Sequence, residues 1–233
     1  MKLNIHCYQH TKYEGPSIIQ KWADLNGHNL NKTNFRINDS IPNTDLFDVL
    51  IVLGGPMSIN DESKYPWLKN EKKSIDRCLN EGKKVIGICL GAQLLANVLG
   101  SEIYRCETPE IGWHKIYFSE NKQNYEFLNF FPQDLITFHW HSETFDLPKS
   151  CSQIAYSDAC ENQIFTYGDI AIGFQCHLEQ NEYSIGRMLE KSALTIQKDK
   201  YVNSNEEILA NIHLANQSNK LFFDFLDKFL TEL

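Results

Sequence analysis

The segment Lys84–Gly100 (KVIGICLGAQLLANVLG) constrains the fold of this chain more than any other. It begins as an apolar, β-branched strand, and Ala92–Leu99 favours a helix that ends at the final glycine. Between the two lies Gly87-Ile88-Cys89-Leu90-Gly91, in which a glycine on each side leaves room for a tight turn. The pattern predicts a strand, a sharp turn and a helix, with Cys89 projecting from the turn.

Cys89 would lie at a helix N-terminus, where free N–H groups and the helix dipole favour the thiolate. A buried structural cysteine is the alternative, but the glycine spacing favours a nucleophile. The chain has seven cysteines, an odd number, without a C-x-x-C pair. We therefore expect mostly free thiols in a reducing compartment.

The rest of the first half alternates strands and helices joined by short links. Strands are predicted at 3–8, 29–36, 48–53 and 170–175, and helices at 16–26 and 65–81. Such alternation is typical of parallel βαβ units with helices on both faces. After residue 102 the predicted strands are shorter, at 115–118, 135–138 and 153–157. The sequence thus predicts an α/β fold: a three-layer open sheet with a parallel core and an antiparallel extension.

The C-terminal part, from Gln180 onward, is predicted to be helical. Its last segment carries an apolar stripe at helical spacing, formed by Phe222, Phe225, Leu226, Phe229 and Leu230. We expect one domain over 1–180 and a helical extension over 181–233 that packs on it. A partner-binding helix is the alternative.

Charge and hydropathy exclude several classes of protein. Lys and Arg number 22 against 30 Asp and Glu, a net charge of −8, and no basic stripe is present, which argues against a nucleic-acid partner. No apolar run approaches the ~18 residues of a membrane span, and Met1–Tyr8 lacks the cleavage site of a signal peptide. We expect a cytoplasmic protein.

Two further motifs follow predicted strands. Gly54-Gly55-Pro56 either turns backbone N–H groups toward a ligand, as an oxyanion loop does, or forms a plain turn. In His177-Leu178-Glu179 the imidazole and the carboxylate are two residues apart, so they share a face and can meet. Because ligands bind at the carboxyl ends of parallel strands, we expect both motifs near Cys89.

Two polar and aromatic segments, Pro109–His114 and His139–Glu143, are predicted as loops that contact substrate. The His-x-His pattern in the second is a weak metal signal, because no carboxylate or thiolate follows at suitable spacing. We expect neither a metal nor another cofactor. His6 and His10, near the end of the first strand, are either packing residues or cleft residues.

Over residues 45–180, the cysteine motif ending at Gln93, the Gly54-Gly55-Pro56 loop and His177-Leu178-Glu179 together resemble the class I (triad) glutamine amidotransferase family. Glu110-Ile111-Gly112-Trp113 and Trp140-His141 are similar to free-standing members that resemble the glutaminase domain of GMP synthase. The resemblance implies a flavodoxin-like fold of that family.

The resemblance also implies residue roles. Cys89 would be the nucleophile, His177 the base and Glu179 the acid that orients it. Backbone N–H groups of Gly55 and Leu90 would form the oxyanion hole. Contacts to the amino-acid end of the substrate would come from Gln93, His139, His141 and Ser142.

Two departures affect this assignment. Glu143 replaces an aspartate that is common in the family, and Leu178 replaces the proline of the usual His-Pro-Glu.

The implied reaction cleaves the γ-carboxamide of glutamine through a Cys89 thioester and passes ammonia to a separate acceptor enzyme. A γ-glutamyl peptide hydrolase is the alternative, and a catalytically idle binding or scaffold protein is a second. A flexible Gly54-Gly55 pair would leave the oxyanion hole unformed until a partner docks, so we expect weak activity on free glutamine. A loop locked by Pro56 and its neighbours would instead make glutamine alone sufficient.

Overall fold

The computed structural model describes residues 1–191 and 199–230. Within these ranges nine strands form one sheet in the order β2-β1-β3-β4-β9-β8-β7-β5-β6. The strands are β1 (Asn4–Gln9), β2 (Asn29–Asn34), β3 (Val49–Val52), β4 (Lys84–Ile88), β5 (Ile103–Phe118), β6 (Asp134–Phe145), β7 (Ser152–Ser157), β8 (Ile164–Tyr167) and β9 (Ala171–Phe174). The helices are α1 (Ile18–Leu25), α2 (Trp67–Asn80), α3 (Leu90–Val98), α4 (Glu182–Lys191), α5 (Asn205–Ala210) and α6 (Ala215–Leu230).

The first half of the sheet, β2-β1-β3-β4-β9, is entirely parallel. Its central strands are buried on both faces, as their continuous apolar sequences predict. In β3, Val49 and Ile51 join the core that contains α1 and α6, whereas Leu50 and Val52 join the core that contains α2 and α3. The predicted three-layer α/β architecture is confirmed, and the carboxyl ends of β1, β3, β4 and β9 lie along one edge.

The second half, β9-β8-β7-β5-β6, is antiparallel. The predicted antiparallel extension is confirmed, but β5 and β6 are far longer than expected and β8 was not predicted. Residues 109–114 and 139–143 were expected to be loops, and that expectation is wrong. They pair with each other across β5 and β6, with Glu110 opposite His141 after an irregularity in the register. Ladder pairing and burial override the weak strand propensity of their Pro, Gly and Glu residues.

The helical extension contains α4, α5 and α6, while residues 192–198 and 231–233 of the predicted extension lie outside the described residues. The apolar stripe of α6 is buried in the same core as α1. Trp22 of α1 also donates a hydrogen bond to Asp227 over 2.7 Å. This packing agrees with an extension that covers the sheet, and the boundary at residue 180 stays a prediction.

Among the helices of the described residues, none combines the length and the apolar character that crossing a membrane requires.

Candidate active site

Cys89 lies in a strained turn between β4 and α3. Its φ of 51° is unusual for a residue with a side chain, and its backbone N–H donates to the Phe174 carbonyl of β9 over 2.7 Å. A Cβ on Gly91 would collide with the Val52 carbonyl, and one on Gly87 would collide with the Gly91 carbonyl. The two glycines therefore allow the helix to start directly against the sheet, which confirms the predicted strand, turn and helix.

His177 and Glu179 follow β9 and meet beside this turn. His177 Nδ1 lies 2.8 Å from Glu179 Oε1, and both side chains are about 1% exposed. The same carboxylate oxygen accepts a hydrogen bond from Gln180 over 2.8 Å. Because a carboxylate only accepts, the hydrogen of the imidazole is assigned to Nδ1, which leaves Nε2 for other partners. The proline of the usual family motif is therefore not required for this pairing.

The protonation of His177 is set by its neighbours. Burial by itself lowers the pKa of His177, but the Glu179 carboxylate and a hydrogen bond with Cys89 outweigh burial and raise this pKa well above the usual value. The imidazole next to the thiol is therefore held in its charged form. The arrangement can therefore supply both a nucleophile and a proton donor.

The loop after β3, residues 54–57, is held by His10 at the end of β1. His10 Nδ1 lies 3.0 Å from the Gly54 carbonyl, and Nε2 lies 2.8 Å from a Glu71 carboxylate oxygen. Both partners accept, so both ring nitrogens donate and the ring is charged. Burial lowers the pKa of His10, but Glu71 outweighs it and the pKa is raised.

Gly55 in this loop is tightly enclosed. A Cβ there would lie 2.7 Å from His10 Cβ and 2.8 Å from Met57 Sδ. Since His10 and Met57 leave no room for a Cβ at Gly55, and His10 binds the Gly54 carbonyl, the loop packs closely against the end of β1. His10 is thus fully buried with both ring nitrogens bonded, which agrees with the packing residue that was one of its two interpretations.

The predicted substrate contacts are distributed over several environments. Gln93 is buried and donates to the Glu143 carbonyl and to Gln175, over 3.1 Å each. His139 and His141 are buried on β6, and Ser142 is exposed. The Cys89 thiol contacts the neighbouring Trp140 carbonyl at 3.8 Å. The backbone of β6 therefore reaches the cysteine, and the roles predicted for these side chains stay predictions.

His139 and His141 face Glu110 of β5. His141 Nε2 lies 3.1 Å and His139 Nδ1 3.8 Å from the same Glu110 oxygen. Ser157 and Gln163 also donate to this carboxylate, over 2.7 and 2.5 Å. Burial raises the pKa of Glu110, but the His141 interaction and the other donors outweigh burial and lower it to about 2. Burial lowers the pKa of His139 to about 3.

Within residues 1–191 and 199–230, one group of side chains could hold a metal ion: Glu110, His141 and Cys160, whose ligand atoms lie within 4.8 Å of one another. Both carboxylate oxygens of Glu110 already accept hydrogen bonds from Ser157 and Gln163. The carboxylate of Glu110 is therefore fully hydrogen-bonded within the protein, whereas His141 Nε2, at 3.1 Å from it, has no hydrogen bond of good geometry. The absence of a metal stays a prediction.

Sequence reasoning missed two residues beside the His177-Leu178-Glu179 segment. Asn219 of α6 donates to the carbonyls of Leu178 and Gln180, over 2.8 Å each. The carboxylate of Glu14, after β1, is buried near His177 and Gly54. No local motif marks Asn219, whereas a charged residue shortly after a parallel strand is a signal that could have identified Glu14.

Comparison with known proteins gives matches along the whole chain. The family model for glutamine amidotransferase class-I matches residues 17–196. The glutamine amidotransferase-like protein YfeJ of Salmonella typhimurium is 29% identical over 233 residues, which cover 97% of each chain. The structure of a glutamine amidotransferase from Thermotoga maritima is 27% identical, with a TM-score of 0.90 and 99% of both chains covered. The structure of a glutamine amido transferase from Methylobacillus flagellatus is 26% identical, with a TM-score of 0.93, and the match covers 100% of this chain and 96% of that one.

Two other relatives match part of the chain. Gamma-glutamyl peptidase 5 of Arabidopsis thaliana is 26% identical over 152 residues, covering 63% of this chain and 59% of that protein. A subunit of the glutamine-hydrolysing GMP synthase from Methanococcus aeolicus is 30% identical over 129 residues, covering 54% of this chain and 67% of that subunit.

Proposed function

Because the chain belongs to the class I glutamine amidotransferase family, we propose that it hydrolyses the γ-carboxamide of glutamine with Cys89 as the nucleophile. The observation that carries this proposal is the meeting of the Cys89 turn with the paired His177 and Glu179 at one edge of the sheet. The family match and the geometry are separate lines of support for it.

The proposed reaction has two steps. The Cys89 thiolate attacks the carboxamide carbon, and the backbone N–H groups of Gly55 and Leu90 bind the oxyanion. Leu90 is the first residue of α3, so its N–H has no partner within the helix. His177 donates a proton to the leaving nitrogen as the C–N bond breaks, which gives ammonia and a γ-glutamyl thioester. Water deprotonated by His177 then cleaves the thioester and releases glutamate and the thiol.

The contacts of the Gly54-Gly55 pair bear on whether a partner is needed. The sequence led us to expect a flexible loop and weak activity on free glutamine. His10 binds the Gly54 carbonyl and encloses Gly55 together with Met57, which supports a preformed oxyanion hole. We therefore propose that glutamine alone suffices, with kcat/KM of about 10⁴ M⁻¹s⁻¹ or above.

A γ-glutamyl peptide hydrolase is the second candidate, because the same thioester chemistry accepts any γ-glutamyl amide. The match to a gamma-glutamyl peptidase favours it. Steady-state glutamate production from glutamine, compared with production from γ-glutamyl dipeptides, separates the two candidates. A higher kcat/KM for the dipeptides would reject the glutaminase.

The fate of ammonia is part of the first candidate. The match to the GMP synthase subunit supports transfer of ammonia to a separate synthetase. A cytoplasmic location is part of the same proposal. Strong stimulation of glutamine hydrolysis by cell extract would favour the partner-dependent form that the sequence led us to expect.

The decisive experiment traps the intermediate. The protein is incubated with a γ-glutamyl electrophile, such as the chloroketone analogue of glutamine, and the labelled peptide is identified by mass spectrometry. We expect one label, at Cys89, and none in the Cys89→Ala variant. Labelling at another cysteine would contradict the proposed nucleophile, and the absence of both label and hydrolysis would favour the idle binding or scaffold protein.

A further inference from the structure

A second acidic side chain, Glu14, faces the reacting centre from the loop between β1 and α1. A Cβ placed on Gly54 would lie 3.1 Å from Glu14 Oε2, 3.3 Å from His177 Cε1 and 3.5 Å from Cys89 Cβ. The carboxylate, the imidazole and the cysteine therefore surround one point. The proposed mechanism uses the imidazole of His177 and the thiol of Cys89 but gives no role to the carboxylate of Glu14.

The loop that carries Glu14 is fixed on both sides. The Glu14 N–H donates to the Thr11 hydroxyl over 2.8 Å. At the other end, the Ile18 N–H lies 3.4 Å from the Glu179 carbonyl, and the Ser17 hydroxyl lies 3.3 Å from that of Ser184. The position of the carboxylate beside His177 thus follows from the backbone of the loop.

The carboxylate of Glu14 lacks a partner of its own. The residue is 8% exposed, and among residues 1–191 and 199–230 no hydrogen bond reaches its carboxylate. Burial accordingly raises the pKa of Glu14, and the nearby His177 and His10 only partly offset this. Those two histidines are bonded to other acids, Glu179 and Glu71. The carboxylate thus has no protein donor, although its oxygens are not among the atoms fully shielded from solvent. A ligand that brings N–H groups or positive charge to this mostly buried position would therefore gain from binding there.

We propose that Glu14 binds a nitrogen of the substrate. This inference rests on the proposed function and deepens it, because it assigns the group that recognises the amine. A γ-glutamyl amide offers two such nitrogens. The leaving nitrogen is bonded to the reacting carbon beside His177, and the α-ammonium lies about 5 Å from that carbon when the chain is extended. Both can reach a carboxylate that adjoins the cysteine.

Three substrates distinguish the two nitrogens when compared in the wild type and in Glu14→Gln, which keeps the size of the side chain. Glutamine has both nitrogens, 4-carbamoylbutanoate lacks the α-ammonium, and glutamate γ-methyl ester lacks the leaving nitrogen. We expect the substitution to lower kcat/KM for glutamine about tenfold or more, the value of a lost hydrogen bond to a charged group. The substrate that lacks the bound nitrogen should be unaffected.

The pattern of losses decides the source of the nitrogen. If only 4-carbamoylbutanoate is unaffected, Glu14 binds the α-ammonium, and if only the ester is unaffected, Glu14 binds the leaving nitrogen. An equal loss on all three substrates, or no loss on glutamine, would overturn the proposal. Glu71→Gln is the matched control, because it changes a neighbouring buried acid that contacts His10, and its effect should be equal on all three substrates.

A second measurement does not require turnover. Iodoacetamide alkylates the Cys89 thiol, and the rate is followed at that peptide by mass spectrometry with L-glutamate, glutarate or ammonium chloride present. If Glu14 binds the α-ammonium, L-glutamate should protect Cys89 from alkylation better than glutarate does. If Glu14 binds the leaving nitrogen, ammonium chloride should protect Cys89 better than sodium chloride does. Glu14→Gln should remove the difference in either case. If the wild type hydrolyses none of the three substrates, the proposed function fails, and the alkylation assay then tests the role of Glu14 alone. The proposal for Glu14 is overturned if the wild type shows no difference in protection between the compared compounds, or if the difference persists in Glu14→Gln.

Discussion

Two clusters of cysteine, histidine and glutamate occur in the two halves of the same sheet. Cys89, His177 and Glu179 lie at the carboxyl ends of parallel strands, whereas Glu110 and His141 lie within the paired part of the antiparallel half, near Cys160. Both clusters are buried and both pair a histidine with a carboxylate at hydrogen-bonding distance.

The clusters differ in how their acids and cysteines are held. Glu110 accepts hydrogen bonds from Ser157 and Gln163 besides its contact with His141, so it is satisfied without any ligand. Cys89, in contrast, lies on a turn with positive φ, with a charged imidazole beside it. The same residue types therefore lie in two different settings, one between paired strands and one at the carboxyl ends of parallel strands, where ligands bind in such sheets.

The largest expected effect comes from removing Cys89, compared with removing Cys160 from the other cluster. Cys89→Ala should lower the hydrolysis rate by at least about 10⁴-fold, because the nucleophile is lost. Its free energy of unfolding should change little, since alanine keeps the Cβ and only the sulfur atom is removed. Cys160→Ala should leave the rate within a few-fold of the wild type. Steady-state kinetics and urea unfolding of both variants make the comparison.

Measurable hydrolysis by the Cys89→Ala protein would rule out the thioester mechanism. A similar loss of activity in both cysteine variants would show that the cluster around Glu110 is needed for hydrolysis as much as the cluster around Cys89.

The next largest effect concerns the His177 and Glu179 pair. His177→Ala should lower kcat by about 10²- to 10⁴-fold, the usual contribution of a general acid and base. Glu179→Gln should lower kcat less, because an amide oxygen still accepts the Nδ1 hydrogen bond but does not stabilise the imidazolium. Wild-type rates in Glu179→Gln would mean that another group orients His177.

The pH dependence of the same variant gives a separate test. The folded protein holds the pKa of His177 well above 6.5, so the imidazolium that protonates the leaving nitrogen is lost only as pH rises through that higher value. Glu179→Gln removes the main group that raises the pKa. The alkaline limb of the kcat/KM profile should therefore move to lower pH. An unmoved limb would assign it to a group other than His177.

Breaking the network in the antiparallel half should affect stability first. Glu110→Ala leaves His141, Ser157 and Gln163 without their common acceptor, and breaking a buried pair typically destabilises by about 3–5 kcal/mol. Urea unfolding measures this loss, and Glu110→Gln, which retains an acceptor oxygen, should lose less. A stability close to the wild type in Glu110→Ala would show that the network contributes little to the fold.

The smallest expected effect lies where α6 meets the segment that carries His177 and Glu179. Asn219→Ala removes two hydrogen bonds, to the carbonyls of Leu178 and Gln180, and should lower the free energy of unfolding by about 1–3 kcal/mol. Loosening this loop should lower kcat severalfold with KM nearly unchanged. Asn219→Asp is the control, because it keeps the size but brings an acid to two carbonyls and should be worse.

The strong local patterns allowed correct prediction of the parallel half. Buried strands such as Val49–Val52 are continuous apolar runs. The glycines on both sides of Cys89 indicate a turn too tight for side chains, and a Cβ at either position would indeed collide with backbone atoms. The pairing of His177 with Glu179 could also be expected, because the two residues are near each other in the chain. The antiparallel half was harder to predict, since the lengths of β5 and β6 depend on pairing with each other.

The sequence by itself determined the turn at Cys89 and the alternation of strands and helices, because both depend on interactions between residues close together in the chain. Only the tertiary structure decided which polar side chains share a site. Glu14 reaches His177, His10 binds Gly54 and Asn219 binds Leu178 across tens or hundreds of residues. Contacts at such separations follow from the order of strands in the sheet and from where α6 packs, and no local periodicity encodes either of them.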